Sequence, residues 1–226
     1  MSKDEIHYDS THISFLEKLW GDGYMSPGGK KEINRLLNGL DLTEKKILDV
    51  GCGAGGITVS LVKDYGAKEV IGVDVEEDVV NSAIKRVVKN RLKDKIEILL
   101  IGKSNLPFED NCFDIVFSKD SFVHIPDKEK IFSQVFKVLK PGGFFVFSDW
   151  LISHDQKPSK EMEYYLKLED LGFGMGSPLL YHNALKKSGF VSIKKNNRNK
   201  WYREEARKEL QMLSGPARKS YEEITS

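Results

Sequence analysis

Lys46-Ile47-Leu48-Asp49-Val50-Gly51-Cys52-Gly53-Ala54-Gly55-Gly56-Ile57 carries the clearest fold signal in the chain. A short apolar run carries an acid near its end, then comes a glycine-rich turn, then a helical pattern. This is the signature of a parallel strand feeding a tight loop that opens a helix. The glycines let the backbone turn sharply and let a ligand approach where a Cβ would clash. Many α/β proteins place glycines after a first strand, so the loop alone does not decide the case; its surroundings do.

Downstream, short apolar runs alternate with helical ones. Strands are expected at Ile47–Val50, Glu69–Asp74, Ile96–Ile101, Phe113–Ser118 and Phe144–Trp150, with a sixth at Phe190–Lys195. Helices are expected at Gly56–Tyr65, Asp78–Asn90 and Lys128–Leu139, the last stopped by the turn Lys140-Pro141-Gly142-Gly143. Near-continuous apolar strands alternating with helices imply an α/β fold, a mostly parallel twisted sheet with helices on both faces. Residues 1–45 read as an N-terminal helical cap: helical spacing over Ile13–Trp20, a flexible Gly21–Gly29 segment, and a helix from about Lys31 to Leu40. That glycine-rich segment suits either a covering lid or a plain connector. The core occupies residues 46–150. Residues 151–190 break the alternation with helices at Glu161–Leu171 and Leu179–Ser188, an insertion at the carboxyl end of the sheet, where open α/β folds bind ligands. Residues 191–226 complete a single domain with a strand and a charged helix over Trp201–Leu213.

Composition sets outer bounds. The chain has 226 residues, enough for one α/β core with decoration, and 35 basic against 34 acidic side chains leave a net charge of +1. No electrostatic case exists for nucleic acid or an anionic membrane surface. Cys52 and Cys112 are the two cysteines, expected as small buried thiols in a reducing compartment. No run approaches ~18 apolar residues and the N-terminus has no signal-peptide core, so a cytoplasmic protein without membrane insertion is expected. No metal ligand set is assigned.

Chemistry gathers around the glycine loop. Asp74 ends the second strand about twenty residues beyond it, where a carboxylate accepts ribose hydroxyls. That pairing serves a dinucleotide or S-adenosylmethionine (SAM) equally. Two features separate them. In Gly51-Cys52-Gly53-Ala54-Gly55-Gly56 the third glycine falls one place early for a dinucleotide loop. Asp49 precedes the loop, where it would attract the ammonium of SAM and repel a pyrophosphate. A dehydrogenase is therefore the weakest reading.

Taken together, Leu48-Asp49-Val50-Gly51-Cys52-Gly53, Asp74, Leu106-Pro107-Phe108 with Phe113-Asp114, and Lys140-Pro141-Gly142-Gly143 resemble class I SAM-dependent methyltransferases. The resemblance covers roughly residues 45–150. It implies a Rossmann-like sheet ordered 3-2-1-4-5-7-6 with an antiparallel last strand, SAM as methyl donor, and cofactor contacts from Asp49, Gly51, Gly53, Asp74, Val75, Lys103, Ser104 and Ser118. Tyr24-Met25-Ser26-Pro27-Gly28-Gly29 and Ser118-Lys119-Asp120-Ser121-Phe122-Val123-His124 add a narrower resemblance, to phosphoethanolamine N-methyltransferases. By it, Tyr24 and Ser26 contact the methionine end of SAM, Tyr8 and His124 latch the site, and Asp120 faces the amine; Lys119 is expected to be solvated.

Three departures bear on the acceptor. Lys103 stands where the family commonly has an acid for the adenine amino group, and lysine cannot accept that hydrogen bond, leaving backbone or Ser104. Glu169 aligns with a phosphate-gripping arginine, and no arginine occurs between Arg91 and Arg198. No clear final strand precedes Ser226. Trp150 and Tyr165, with Tyr164 and Phe173, could instead offer aromatic faces to a methylated cation. The expected activity is methyl transfer to the nitrogen of a small polar amine. The rivals are a carbon or oxygen acceptor in a lipid-like substrate and a non-catalytic SAM-binding protein.

Overall fold

The computed structural model describes residues 8–103, 105–169, 172–215 and 218–225. Five strands form one parallel sheet: β1 (Lys46–Val50), β2 (Glu69–Asp74), β3 (Ile96–Leu100), β4 (Phe113–Lys119) and β5 (Leu139–Ser148), ordered β3-β2-β1-β4-β5. β1 is central because it is buried on both faces. Ile47 packs with Ile33, Leu61, Val70 and Phe117 on one side, while Leu48 packs with Val116, Phe132, Val135 and Leu185 on the other. The crossovers run outward in opposite directions from β1, to β2 on one side and β4 on the other. The crevice at their carboxyl ends is thus the expected ligand position.

Helices α1 (Ser10–Trp20) and α2 (Gly29–Leu36) precede the sheet; α3 (Gly56–Lys63), α4 (Glu77–Lys89) and α5 (Lys128–Val138) connect its strands. Local capping sets several boundaries. Asp9 accepts from the His12 N–H at 2.8 Å, Asp127 from Lys130, and Ser177 from Leu180. After β5 come α6 (Lys160–Glu169), α7 (Pro178–Ser188), α8 (Asn199–Ser214) and α9 (Arg218–Thr225). Pro178 opens α7 and Gly189, in the left-handed region, closes it. No helix among the described residues is long and apolar enough to cross a membrane.

Two expectations change. Strand five begins at Leu139 and ends at Ser148, so the expected turn at Lys140–Gly143 is a loop-out within its pairing: Phe113 faces Leu139, yet Ile115 faces Phe144. Gly142 takes φ +79°, and a Cβ on Gly143 would stand 2.9 Å from the Asp114 carbonyl. The strand expected at Phe190–Lys195, and with it the strand of the 191–226 segment, is absent. The Phe190 N–H is spent on the Leu185 carbonyl at the end of α7, and Ser192 turns into positive φ. Phe190 and Ile193 still pack against the β1–β4 core. Of the order 3-2-1-4-5-7-6, the first five positions are present among the described residues.

Candidate active site

The glycine loop is fastened before it can hold anything. The N–H groups of Gly51 and Cys52 both donate to the Val73 carbonyl, at 2.8 and 3.0 Å, tying the turn to β2. Gly51 has φ +71°, and a Cβ there would lie 2.0 Å from Ser121 Oγ. Beneath the loop, Asp49 is 1% exposed. Its Oδ2 accepts the Thr58 hydroxyl at 2.7 Å, while Oδ1 is buried with no hydrogen-bond partner among the described residues. Burial pushes the carboxyl up to about 7, opposed by Thr58 and reinforced by Asp74. An orphaned carboxylate oxygen in such a place calls for a cationic donor.

Asp74, at the end of β2, holds the loop from the other side. One oxygen accepts from Gly53 N–H at 3.0 Å; the other accepts from Val75 at 2.7 Å and Glu76 at 3.2 Å. Burial raises its pKa and these three N–H groups oppose the rise. A carboxylate has about four lone-pair sites, so three backbone bonds leave room for a hydroxyl. Beside it, at the end of β3, lies an open cleft of about 410 Å³ lined by Leu100, Ile101, Gly102, Lys103, Asn105 and Pro107. Its apolar wall suits a flat heterocycle. Ser104 lies outside the described residues.

The N-terminal segment is stapled over this loop by Arg86, a residue no motif singled out. Its Nε donates to the Ala54 carbonyl at 2.7 Å, and its two terminal nitrogens pair with Glu17 and, at 2.7 Å, with Asp22. Gly56 donates to the Gly23 carbonyl, and a Cβ on Gly56 would stand 2.6 Å from that backbone. Met25 Sδ meets the Ala54 N–H at 3.2 Å. Tyr8 packs with Met25 against Ile13, Ala54 and Val79. The Tyr24 hydroxyl faces Ser60 on α3, and burial raises its pKa. Ser26 turns the other way, toward the end of β4.

There the expectation for Lys119 fails. Its side chain is 1% exposed, with Nζ 2.6 Å from Ser26 Oγ and 2.5 Å from Asp120 Oδ2. The burial follows from β4 being a central strand: a lysine at its end has only the crevice to enter. Asp120 adopts φ +56°, a left-handed conformation that Asp tolerates better than most residues. Its second oxygen accepts the Ser148 hydroxyl at 3.0 Å. Ser118 is fully buried and donates to the Val50 carbonyl, bracing β4 against β1.

His124 sits in a short 3₁₀ turn with its ring 5.1 Å from that of Phe173. Lys128 fixes that contact. Its ammonium donates to the carbonyls of Phe122 at 2.6 Å, Gly174 at 2.8 Å, and Ile125. One cation thus joins the His124 turn to the segment after β5. Burial lowers its pKa to about 8, and Asp149 opposes the fall. Asp149, also unflagged by the motifs, accepts from the Val123 N–H at 3.0 Å and from the Tyr181 hydroxyl, with its pKa raised by burial to about 7. Trp150 is partly exposed beside it, and Tyr165 lies on the exposed side of α6.

A family model described as a methyltransferase domain matches residues 42–209. Phosphoethanolamine N-methyltransferase 1 of Zea mays is 32% identical over 99% of this chain and 45% of its own length. A structure of phosphoethanolamine N-methyltransferase 2 of Haemonchus contortus with S-adenosyl-L-methionine superposes with a TM-score of 0.84 at 27% identity, covering 93% of this chain and 48% of that one. The same nematode protein with phosphomonomethylethanolamine and S-adenosylhomocysteine gives 0.85 at 26% identity over 96% and 52%. The chain spans about half the length of these relatives.

Proposed function

This chain belongs to the class I SAM-dependent methyltransferases, and from that premise we propose that it moves the methyl group of SAM to the nitrogen of a small polar amine. The observation that carries the reading is the unpaired Oδ1 of Asp49 at the mouth of the glycine loop. It supports an ammonium ligand there, with Asp74 at the ribose and the Leu100–Pro107 cleft at the adenine. Gly51, Gly53 and Val75 supply the surrounding backbone, Ser26 and Tyr24 the loop over the methionine end. Ser118 contributes by bracing the strand.

SAM supplies a methyl group on a sulfonium, an intrinsically good leaving group. The protein's share is alignment and exclusion of water. An aliphatic amine is largely protonated at neutral pH, so a proton acceptor is required. His124 is the candidate because an imidazole can take up a proton near neutral pH, and Asp120, restrained by Lys119 and Ser148, orients the ammonium beforehand. Tyr8, on the N-terminal cap, and His124 are proposed to close over the reactants together. The nematode and plant relatives are named for phosphoethanolamine. Against that acceptor here stands the lack of any arginine between Arg91 and Arg198 to grip a phosphate.

The test is a screen of small amines with methyl-labelled SAM, with phosphorylated, carboxylated and hydroxylated acceptors side by side. Transfer to an unphosphorylated amine is expected to predominate. Preference for phosphoethanolamine would overturn the arginine argument, and label in none of them would overturn the amine reading.

A further inference from the structure

Helix α8 packs on the N-terminal cap and carries Tyr202 to Trp150, just beyond the end of β5. Three fastenings hold it. Arg198, just before the helix, makes two bonds to Glu32, Nε at 3.0 Å and Nη2 at 2.6 Å, and Glu32 is only 1% exposed. Trp201 lies under the Arg198 guanidinium at 4.7 Å and fills the space a Cβ on Gly28 would need. Trp20 donates from Nε1 to Glu209 at 2.7 Å.

These contacts turn Tyr202 inward. Its ring meets Trp150 edge-on with centroids 4.9 Å apart. Its hydroxyl is buried without a hydrogen-bond partner among the described residues. Burial and the Asp120 and Glu32 carboxylates raise its pKa far above the ordinary phenol range, against the Ser148 hydroxyl beside it, which favours the phenolate. The hydroxyl therefore stays neutral, able both to donate and to accept. Burying such a group unpaired opposes folding, so packing gives no reason for it to be tyrosine. Phenylalanine would fill the same space.

Resting on the amine reading above, we propose that Tyr202 is an acceptor-binding residue: its oxygen takes one N–H of the acceptor nitrogen beside Asp120. A primary ammonium has three N–H bonds, enough for Asp120, Tyr202 and the proton acceptor. A dimethylated ammonium has one, which must serve the proton transfer. Tyr202 then favours the less methylated acceptor, and its contribution fades as methyl groups accumulate.

The experiment compares wild type with Tyr202→Phe on matched pairs, ethanolamine with N,N-dimethylethanolamine, glycine with N,N-dimethylglycine, and their phosphorylated counterparts. KM is read by labelled SAM, or Ki where a compound is not methylated. The expected result is a rise of about tenfold for the primary amine and little change for its dimethyl partner, with SAM affinity by calorimetry unchanged. Equal changes in both members, or none, would overturn the inference and leave the amine reading standing. A wild-type enzyme that neither methylates nor binds any of the amines would overturn both. Trp201→Phe, which loosens α8 but keeps the hydroxyl, should move both members alike; a selective loss for the primary amine there would assign the effect to helix position and overturn the role of the hydroxyl.

Discussion

Thr58 donates to one oxygen of Asp49 at 2.7 Å and leaves the other buried with no partner among the described residues. A purely structural aspartate in a core would have both oxygens satisfied, because each unpaired one costs about 1–3 kcal/mol. Burial raises the pKa of this carboxyl, and its unpaired oxygen supports the proposed grip on an ammonium.

Asp49→Asn keeps the Thr58 contact and removes the charge. SAM affinity by calorimetry is expected to fall between about tenfold and a hundredfold. The pH dependence has a definite sign. In the fold Asp49 ionises near 7, and in the unfolded chain near about 3.9, so its contribution to stability is present at low pH and lost as pH rises through 7. Asp149 adds a loss of the same sign over the same window. Thermal melts of the ligand-free protein should therefore decline toward neutrality, less steeply in Asp49→Asn. An ammonium ligand favours the ionised form, so SAM should raise the melting point more at about pH 8 than at about pH 6. An equal shift at both would count against Asp49 as its partner.

Arg86 joins the Ala54 carbonyl to Glu17 and Asp22, and so joins the cap to the glycine loop. Arg86→Leu should strand a partly buried Glu17 and cost about 2–3 kcal/mol, read as a lowered urea midpoint. SAM binding should weaken as well. Unchanged SAM affinity in a folded variant would show that the cap does not support the cofactor site.

Lys128 holds three carbonyls from two separate segments. Lys128→Met leaves those carbonyls buried and should free the Phe173–Gly174 segment from the His124 turn. Faster limited proteolysis between residues 151 and 176 and a kcat reduced about tenfold are expected, with SAM affinity little altered. An intact proteolysis pattern would contradict the anchoring role.

The proposed closing pair makes a separate prediction. His124→Ala should lower kcat by about a hundredfold, partly recovered at high pH where more of the amine is already deprotonated. Tyr8→Phe should lower it about tenfold without affecting Asp49-dependent SAM binding. Turnover undiminished in His124→Ala would remove it as the proton acceptor.

Much of the fold was legible because β1, β2 and β4 are buried on both faces, so their apolar runs are nearly continuous, and because Gly51, Gly55 and Gly189 occupy positions where backbone geometry demands glycine. The stretch after Gly189 was not. Phe190 and Ile193 look like strand residues, but they meet the core from an irregular chain whose N–H is spent capping α7. At the site, Asp49, Asp74 and Asp120 stood at motif positions. Arg86, Lys128 and Tyr202 lie on helices whose spacing marks them only as polar, and each has a partner far away in sequence, Ala54 at 32 residues, Gly174 at 46 and Trp150 at 52. Burial of a charged side chain through such distant partners leaves no local pattern. Lys119 shows the same limit: its neighbour Asp120 was visible, but not the Ser26 hydroxyl that completes its surroundings.

Nitrogen methylation itself is read by incubating the protein with SAM carrying a carbon-13 methyl group and a mixture of small primary amines, and following the products by carbon NMR. A new N-methyl resonance that depends on Asp49 and His124 is expected. Label recovered only as an O-methyl or C-methyl product, or only in unreacted SAM, would contradict it.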